Sequence, residues 1–409
     1  MSVKAPLPIT ILNGFLGAGK TTLLQSLLVQ AREMPEARLA VIVNEMSQLD
    51  VDSRILGTTE TLSTTDDLFA SIPAGSISGA QGLAQVKSAL HRFRKAGATH
   101  AIIETSGSAH PWPLLQAIKA NKSVRLHGFL SLVDTVTLIQ DFDYGRAIVP
   151  AASRHLSQGE RGIENLLAEQ IMFANRLLLT KMDRVTSEQL RAVGEAIHPI
   201  NRGAEILGMQ WGNLKLADVL AMPPYDHKRV KVLGAELTAW DKEHGTSSMA
   251  SAADYRLDSV VISDPRPFHP QRLWSVYNHF PGQGIYRSKG FFWLPTRDRY
   301  QLLWNQTAGS VGLAVLNYWK IAALEDQSVR LTGEERAELK RQLVEHSPDF
   351  GDRHCNLTVI GDREGLGTFE SALRECLCTP EEVAQWKAGH RFEDPWPRES
   401  VAGDVPPER

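Results

Sequence analysis

One octapeptide narrows the folds open to this chain more than any other stretch: Gly14-Phe15-Leu16-Gly17-Ala18-Gly19-Lys20-Thr21. It fits the spacing G-x-x-x-x-G-K-[ST] at every fixed position, and its surroundings are those the spacing requires. Residues 9–12 (Ile-Thr-Ile-Leu) before it read as a strand, and residues 21–31 after it as a helix with Leu23, Leu24, Leu27 and Leu28 on its inner face. Glycines at 14, 17 and 19 let backbone N–H groups turn inward around phosphate oxygens where a side chain would collide. The helix start adds its positive end. Ala18 and Thr22 complete the cradle, Lys20 would reach the β- and γ-phosphates, and the Thr21 hydroxyl would coordinate Mg²⁺.

The rest of the first half repeats the strand–helix alternation. Strands are expected over 39–43, 100–103, 129–133 and 177–179, and helices over about 82–95, 112–120, 160–173 and 187–198. This alternation predicts an α/β fold: a P-loop NTPase parallel sheet with helices on both faces. At about 150 residues per domain, 409 residues exceed one such unit. The expected organisation is a P-loop domain over 1–221, a linker over 222–252 marked by Pro223-Pro224 and a Ser/Ala-rich run, a smaller α+β C-terminal domain over 253–380, and an extended tail over 381–409. In the second domain strands are expected at 255–262, 285–294, 311–317 and 356–361, and helices at 268–278, 333–345 and 366–376, giving a small mixed sheet covered on one face.

Composition removes whole classes of function. The 44 Lys+Arg nearly balance the 47 Asp+Glu, for a net charge of −3, so neither nucleic acid nor an anionic membrane is expected as a partner. No uninterrupted apolar stretch approaches 18 residues, and the N-terminus has no signal-like apolar region. Three cysteines, Cys355, Cys376 and Cys378, are too few for a disulfide scaffold, so a reducing, cytoplasmic location is expected.

A phosphate loop needs a sensor at a neighbouring strand end. The apolar residues 100–103 run into Glu104-Thr105-Ser106-Gly107. The Glu104 carboxylate would hold the Mg²⁺ shell, and the Gly107 N–H would meet the γ-phosphate with no Cβ in its way, so Lys20, Glu104 and Gly107 form the candidate catalytic set. Residues 177–179 run into Thr180-Lys181-Met182-Asp183, a T-K-x-D one residue from the guanine signature N-K-x-D. Asp183 would accept the ring and exocyclic N–H groups of guanine, which adenine does not offer. The Lys181 stem would lie over the purine, and the Thr180 hydroxyl would tie this loop to the phosphate loop. GTP is therefore expected over ATP. The acidic stretch of residues 44–52 has the place of a switch segment, with Glu45, Asp50 and Asp52 as candidates for metal or water contacts.

Together these elements resemble the metallochaperone family of P-loop GTPases, in its cobalamin-synthesis-protein-W-like branch. Glu104 matches a family hallmark, Glu where most GTPases have Asp. The resemblance runs from Leu7 to about Leu220. It continues through Arg266-Pro267-Phe268-His269-Pro270, Gly290-Phe291-Phe292-Trp293-Leu294 and Gly351-Asp352-Arg353-His354. It implies slow GTP hydrolysis that gates delivery of a transition metal, often zinc or cobalt, to a client metalloprotein. Some members of the branch respond to zinc starvation, and others activate nitrile hydratases.

One departure from the family stands out. Where the family carries Cys-x-Cys-Cys, this chain has Ser76-Ile77-Ser78-Gly79, and Gln48 stands where relatives usually have Glu. A serine hydroxyl near neutral pH is a poor Zn²⁺ ligand, being neither soft nor ionised. Zn²⁺ or Co²⁺ would have to be held at another site, which the sequence does not identify, or weakly. No pair among His110, His244, His269 and His354 has ligand spacing, and Cys376-Leu377-Cys378 puts its thiols on different faces. Trp112, Trp211, Trp293, Trp304 and Trp319 are expected in cores or at a domain interface rather than as a base-stacking platform. Two other readings stand beside the metal chaperone: a GTP-regulated scaffold that has lost metal transfer, and an ATP-dependent small-molecule kinase, which the guanine acceptor Asp183 disfavours.

Overall fold

The computed structural model describes residues 5–34, 36–44, 67–72, 77–243, 257–279, 285–307, 310–326, 328–344 and 347–396. The chain separates into two compact units, Met1–Leu257 and Asp258–Arg409.

The first unit is built on seven strands: β1 (Leu7–Gly14), β2 (Leu39–Asn44), β3 (Phe69–Ile72), β4 (His100–Glu104), β5 (Val124–Asp134), β6 (Arg176–Thr180) and β7 (Glu205–Gly208). Their order is β3-β2-β4-β1-β5-β6-β7, and every pairing is parallel. The inner strands read as unbroken apolar runs because helices shield both of their faces; β2 and β4 are buried at every residue. The helix Lys20–Arg32 begins where expected. Its Leu23, Leu24 and Leu27 are fully buried among Leu12, Val41, Ile102, Leu130 and Leu178. Each such leucine contributes about 1.5–3 kcal/mol, which fixes the helix, and with it the loop before it, onto the sheet.

β1 lies between β4 and β5, so the chain after β1 emerges beside the ends of both neighbours. In an open parallel sheet, ligands gather outside the carboxyl ends of the strands at such a reversal of strand order. The segments following β1, β4, β6 and β7 all leave from that edge.

Residues 222–243 of the expected linker are ordered structure of the first unit. A helix spans Lys231–Glu243, its Thr238 hydroxyl accepts a 3.0 Å hydrogen bond from Trp112 Nε1, and Gly234 lies against the Trp112 ring. Pro223-Pro224 and the small residues around the helix hid its apolar face, in which Leu237 is buried, as is Val230 just before the helix.

The second unit carries β8 (Leu257–Asp264), β9 (Ile285–Phe292), β10 (Tyr300–Thr307), β11 (Ser310–Tyr318) and β12 (Cys355–Asp362), in the order β11-β10-β9-β12-β8. The pairings among β9 to β12 are antiparallel, where a mixed sheet was expected. β10 was missed because its inward residues include a glutamine: Leu302, Trp304 and Gln306 are buried, and the Gln306 amide is held by the Ser288 hydroxyl at 2.8 Å.

The expected extended tail is also corrected over its described residues, 381–396. The helix Pro380–Lys387 opens it, with the Thr379 hydroxyl and Glu382 forming reciprocal cap bonds. Trp396 then inserts beside Trp274 with ring centroids 4.9 Å apart, and its Nε1 donates to Pro270 O. A polar, proline-containing composition concealed one buried tryptophan.

Candidate functional site

The phosphate loop has the backbone its glycines were expected to allow. Gly14, Gly17 and Gly19 have φ of 141°, 71° and 97°. Gly14 is demanded by space as well: a Cβ there would stand 2.4 Å from Leu132 O, because β1 and β5 are in register at Gly14 and Leu132. Ala18 is buried under the loop. Lys20 is buried too, and its ammonium donates to Gly14 O at 2.7 Å and Phe15 O at 3.0 Å, lying along the loop. Thr22 follows on the helix, and its carbonyl abuts Gly212.

Glu104 ends β4 directly beside this loop. The Thr21 hydroxyl donates to Glu104 Oε1 at 2.7 Å, bringing together two residues 83 positions apart. Asn13 Nδ2 donates to the Thr105 hydroxyl at 2.9 Å, and Thr105 N to Leu12 O, binding the two strand ends into one piece. Gly107 sits hard against the phosphate loop: a Cβ there would lie 2.5 Å from Leu16 Cδ2 and 2.7 Å from Leu16 N. Asn44, at the end of β2, accepts from Ser106 N and donates to Ile72 O.

The T-K-x-D segment leaves β6 in a sharp turn, with Lys181 left-handed at φ 57°. Asp183 is exposed. Lys181 Nζ pairs at 2.5 Å with Asp134 Oδ2, a buried carboxylate at the end of β5 that also caps the helix Thr135–Asp141. The expected bond from Thr180 to the phosphate loop is not made. Its hydroxyl donates instead to Val133 O at 3.4 Å, because β5 stands between β6 and β1. Of the remaining candidates, Glu45, Gln48, Asp50, Asp52 and Ser76 lie outside the described residues. Ser78, in the position of a family thiolate, is buried and donates to His110 O at 2.6 Å.

Sequence reasoning missed two partners, Glu169 and Asp134. Glu169 is buried, receives Arg161 Nη1 at 2.8 Å on one oxygen and meets His110 Nδ1 at 2.7 Å on the other. Its neighbour Gln170 donates to Gly107 O at 3.0 Å, so this charged cluster underlies the E-x-x-G segment. Trp211, expected in a core or interface, is 76% exposed, on the turn after β7. Trp293, Trp304 and Trp319 are core residues as expected. Burial pushes the Cys376 and Cys378 thiols up to about 12, which disfavours the thiolate form that binds metals. Among the described residues, no group of three or more His, Cys, Asp or Glu side chains could hold a metal ion.

Residues 8–208 match the nucleotide-binding domain of the CobW/HypB/UreG family, and residues 257–377 match the cobalamin synthesis protein cobW C-terminal domain. Zinc-regulated GTPase metalloprotein activator 1 of Dictyostelium discoideum is 26% identical over 397 residues, covering 92% of this chain and 81% of its own. Zinc chaperone YjiA of Escherichia coli is 25% identical over 268 residues, covering 63% of this chain and 75% of its own. The solved structure of Zn(II)-bound YjiA GTPase from E. coli aligns over 91% of this chain and 99% of that chain at 18% identity. Its TM-score of 0.34 carries no argument about either protein.

Proposed function

Because the chain belongs to the CobW family of P-loop GTPases, with both the nucleotide-binding and the C-terminal domain, we propose that it is a slowly hydrolysing GTP switch that serves metal delivery to a client metalloprotein. The observation that carries this reading is the 2.7 Å bond from the Thr21 hydroxyl to the Glu104 carboxylate, inside a loop whose three glycines have positive φ. A hydroxyl and a carboxylate brought together beside a phosphate cradle are the hard oxygen donors that suit Mg²⁺. The residues therefore fit the ion, with Thr21 and Glu104 as its holders; when bound, it would neutralise charge on the phosphate oxygens.

The chain's own groups would divide the remaining work. Backbone N–H groups of the loop and the Lys20 ammonium would bind the phosphates. Gly107, pressed onto Leu16, would present its N–H to the γ-phosphate and register its loss on hydrolysis. Asp183 would accept from the guanine edge while Lys181, held by Asp134, covers the ring. The transition metal is cargo in this reading. Ser78, committed to His110 O, would be a poor ligand for it. The scaffold alternative is disfavoured because the named relatives are zinc chaperones and zinc-regulated activators.

Calorimetry of the full chain with Mg²⁺ and GTP, ATP or xanthosine triphosphate tests the nucleotide half. GTP should bind best to the wild type, and Asp183→Asn should shift preference toward xanthosine triphosphate. Equilibrium dialysis with Zn²⁺ and Co²⁺, with and without a non-hydrolysable GTP analogue, tests the metal half and should show weak, nucleotide-dependent uptake. An Asp183→Asn variant that still prefers GTP would overturn the base assignment, and metal uptake indifferent to nucleotide would overturn the switch.

A further inference from the structure

We propose that Trp211 is the stacking platform for the purine base of the bound nucleotide, an inference that rests on the GTP-binding reading above. The base-reading segment Thr180–Asp183 leaves β6, and the strand beyond β6 is β7. Chain leaving β7 therefore emerges next to the T-K-x-D segment, on its far side from β5. Met209 N donates to Leu179 O at 2.8 Å, which carries the parallel pairing of β6 and β7 up to the edge of the T-K-x-D segment. Met182 then lies across Gly208, where a Cβ would stand 2.4 Å from its sulfur. Four residues further on, a Cβ at Gly212 would stand 2.9 Å from Thr22 O, on the helix that opens at Lys20. The turn that carries Trp211 thus bridges the base-reading segment and the phosphate-binding helix.

That turn is fixed and its ring is not covered. Leu214 N donates to Gly212 O and Asn213 N to Gln210 O, while Gln30 holds Leu214 O and Leu216 N through both ends of its amide. Trp211 itself has φ 51°, a left-handed conformation costly for any residue with a Cβ and natural for glycine. At 76% exposure, its indole gains little from folding that would offset this cost. A strained, exposed, rigidly mounted indole beside a guanine acceptor has the properties of a ligand contact. Every purine has a π-face, so the platform would add affinity while Asp183 supplies the choice of base.

The test is calorimetric titration of the full chain with Mg²⁺-GDP, and with inorganic tripolyphosphate as a probe that has phosphates but no base. Trp211→Ala should weaken GDP about 5- to 100-fold, and Trp211→Phe should keep most of the affinity. Tripolyphosphate should bind all three proteins alike. Trp211→Gly separates binding from folding: the glycine relieves the positive φ, so its thermal midpoint should equal or exceed the wild type's while its GDP affinity falls. GDP affinity within twofold of wild type in both Trp211→Ala and Trp211→Gly overturns the proposal, as does an equal loss for GDP and tripolyphosphate. A wild type that takes up tripolyphosphate but not GDP overturns the GTP-binding reading itself, and the stacking with it.

Discussion

Replacing Glu169 with alanine removes the carboxylate that faces both Arg161 and His110, two side chains with almost no solvent exposure. The pair distances of 2.8 Å and 2.7 Å place both partners in direct contact with the same group. Breaking a buried ion pair by deleting one partner costs about 3–5 kcal/mol, because the remaining charge stays desolvated without its counter-ion. For a unit of 150–250 residues, each kcal/mol lowers the melting midpoint by about 2–4 °C, so Glu169→Ala should lose about 6–20 °C. Glu169→Gln keeps an acceptor for Arg161 but no charge, and should fall between the alanine variant and wild type. The double variant Arg161→Met, Glu169→Met replaces the pair with apolar chains of similar reach and should recover much of the loss, since the pair's attraction mostly offsets its own desolvation. Thermal unfolding of the full chain followed by near-ultraviolet circular dichroism reads all four. A loss below about 3 °C for Glu169→Ala, or a double variant no better than the single one, would refute the argument that Arg161 depends on this carboxylate.

Two further outcomes follow from the same structure. Gly107→Ala would press a Cβ to 2.7 Å from Leu16 N, and the phosphate loop must move to accept it; a displacement of that order should cut GTP turnover by about 100-fold, measured by phosphate release, with the fold retained by circular dichroism. Unchanged turnover would show that the loop gives way freely. Burial, with His127 and Arg125 adding to it, lowers His100 from 6.5 to about 3, and its Nε2 lies 2.8 Å from the Thr10 hydroxyl. A depressed folded-state value means this contribution is complete above pH 6.5 and is lost as pH falls toward 3; between pH 7 and pH 5 the loss is about 2 kcal/mol. His100→Gln should flatten the fall in melting midpoint across that range, and an identical slope in both proteins would reject His100 as its source.

The inner strands and the phosphate loop were legible because geometry there dictates residue type. A strand covered on both faces is apolar throughout, and a loop with φ of 71° at Gly17 and 97° at Gly19 strongly favours glycine at those places. The two strands of the first sheet that were missed, β3 and β7, are its edges. They have four residues each, and β7 is half-exposed along its length, so neither leaves an apolar signature. The motif residues of the site could be read for the same reason as the loop. Asp134 and Glu169 could not, because each meets its partners from a different element, and neither has a spacing to those partners in the chain.

Thr180 shows what such convergence changes in the mechanism. Read along the chain, its hydroxyl was a direct tie from base segment to phosphate loop. In the fold β5 lies between them, and four contacts run through it: Thr180 Oγ1 to Val133 O, Thr135 Oγ1 to Thr180 O at 2.6 Å, Lys181 to Asp134, and Leu132 in register with Gly14. In the proposed switch the end of β5 would therefore couple recognition of the base to the shape of the phosphate cradle, and Asp134, which no motif names, is the side chain that holds Lys181 to it.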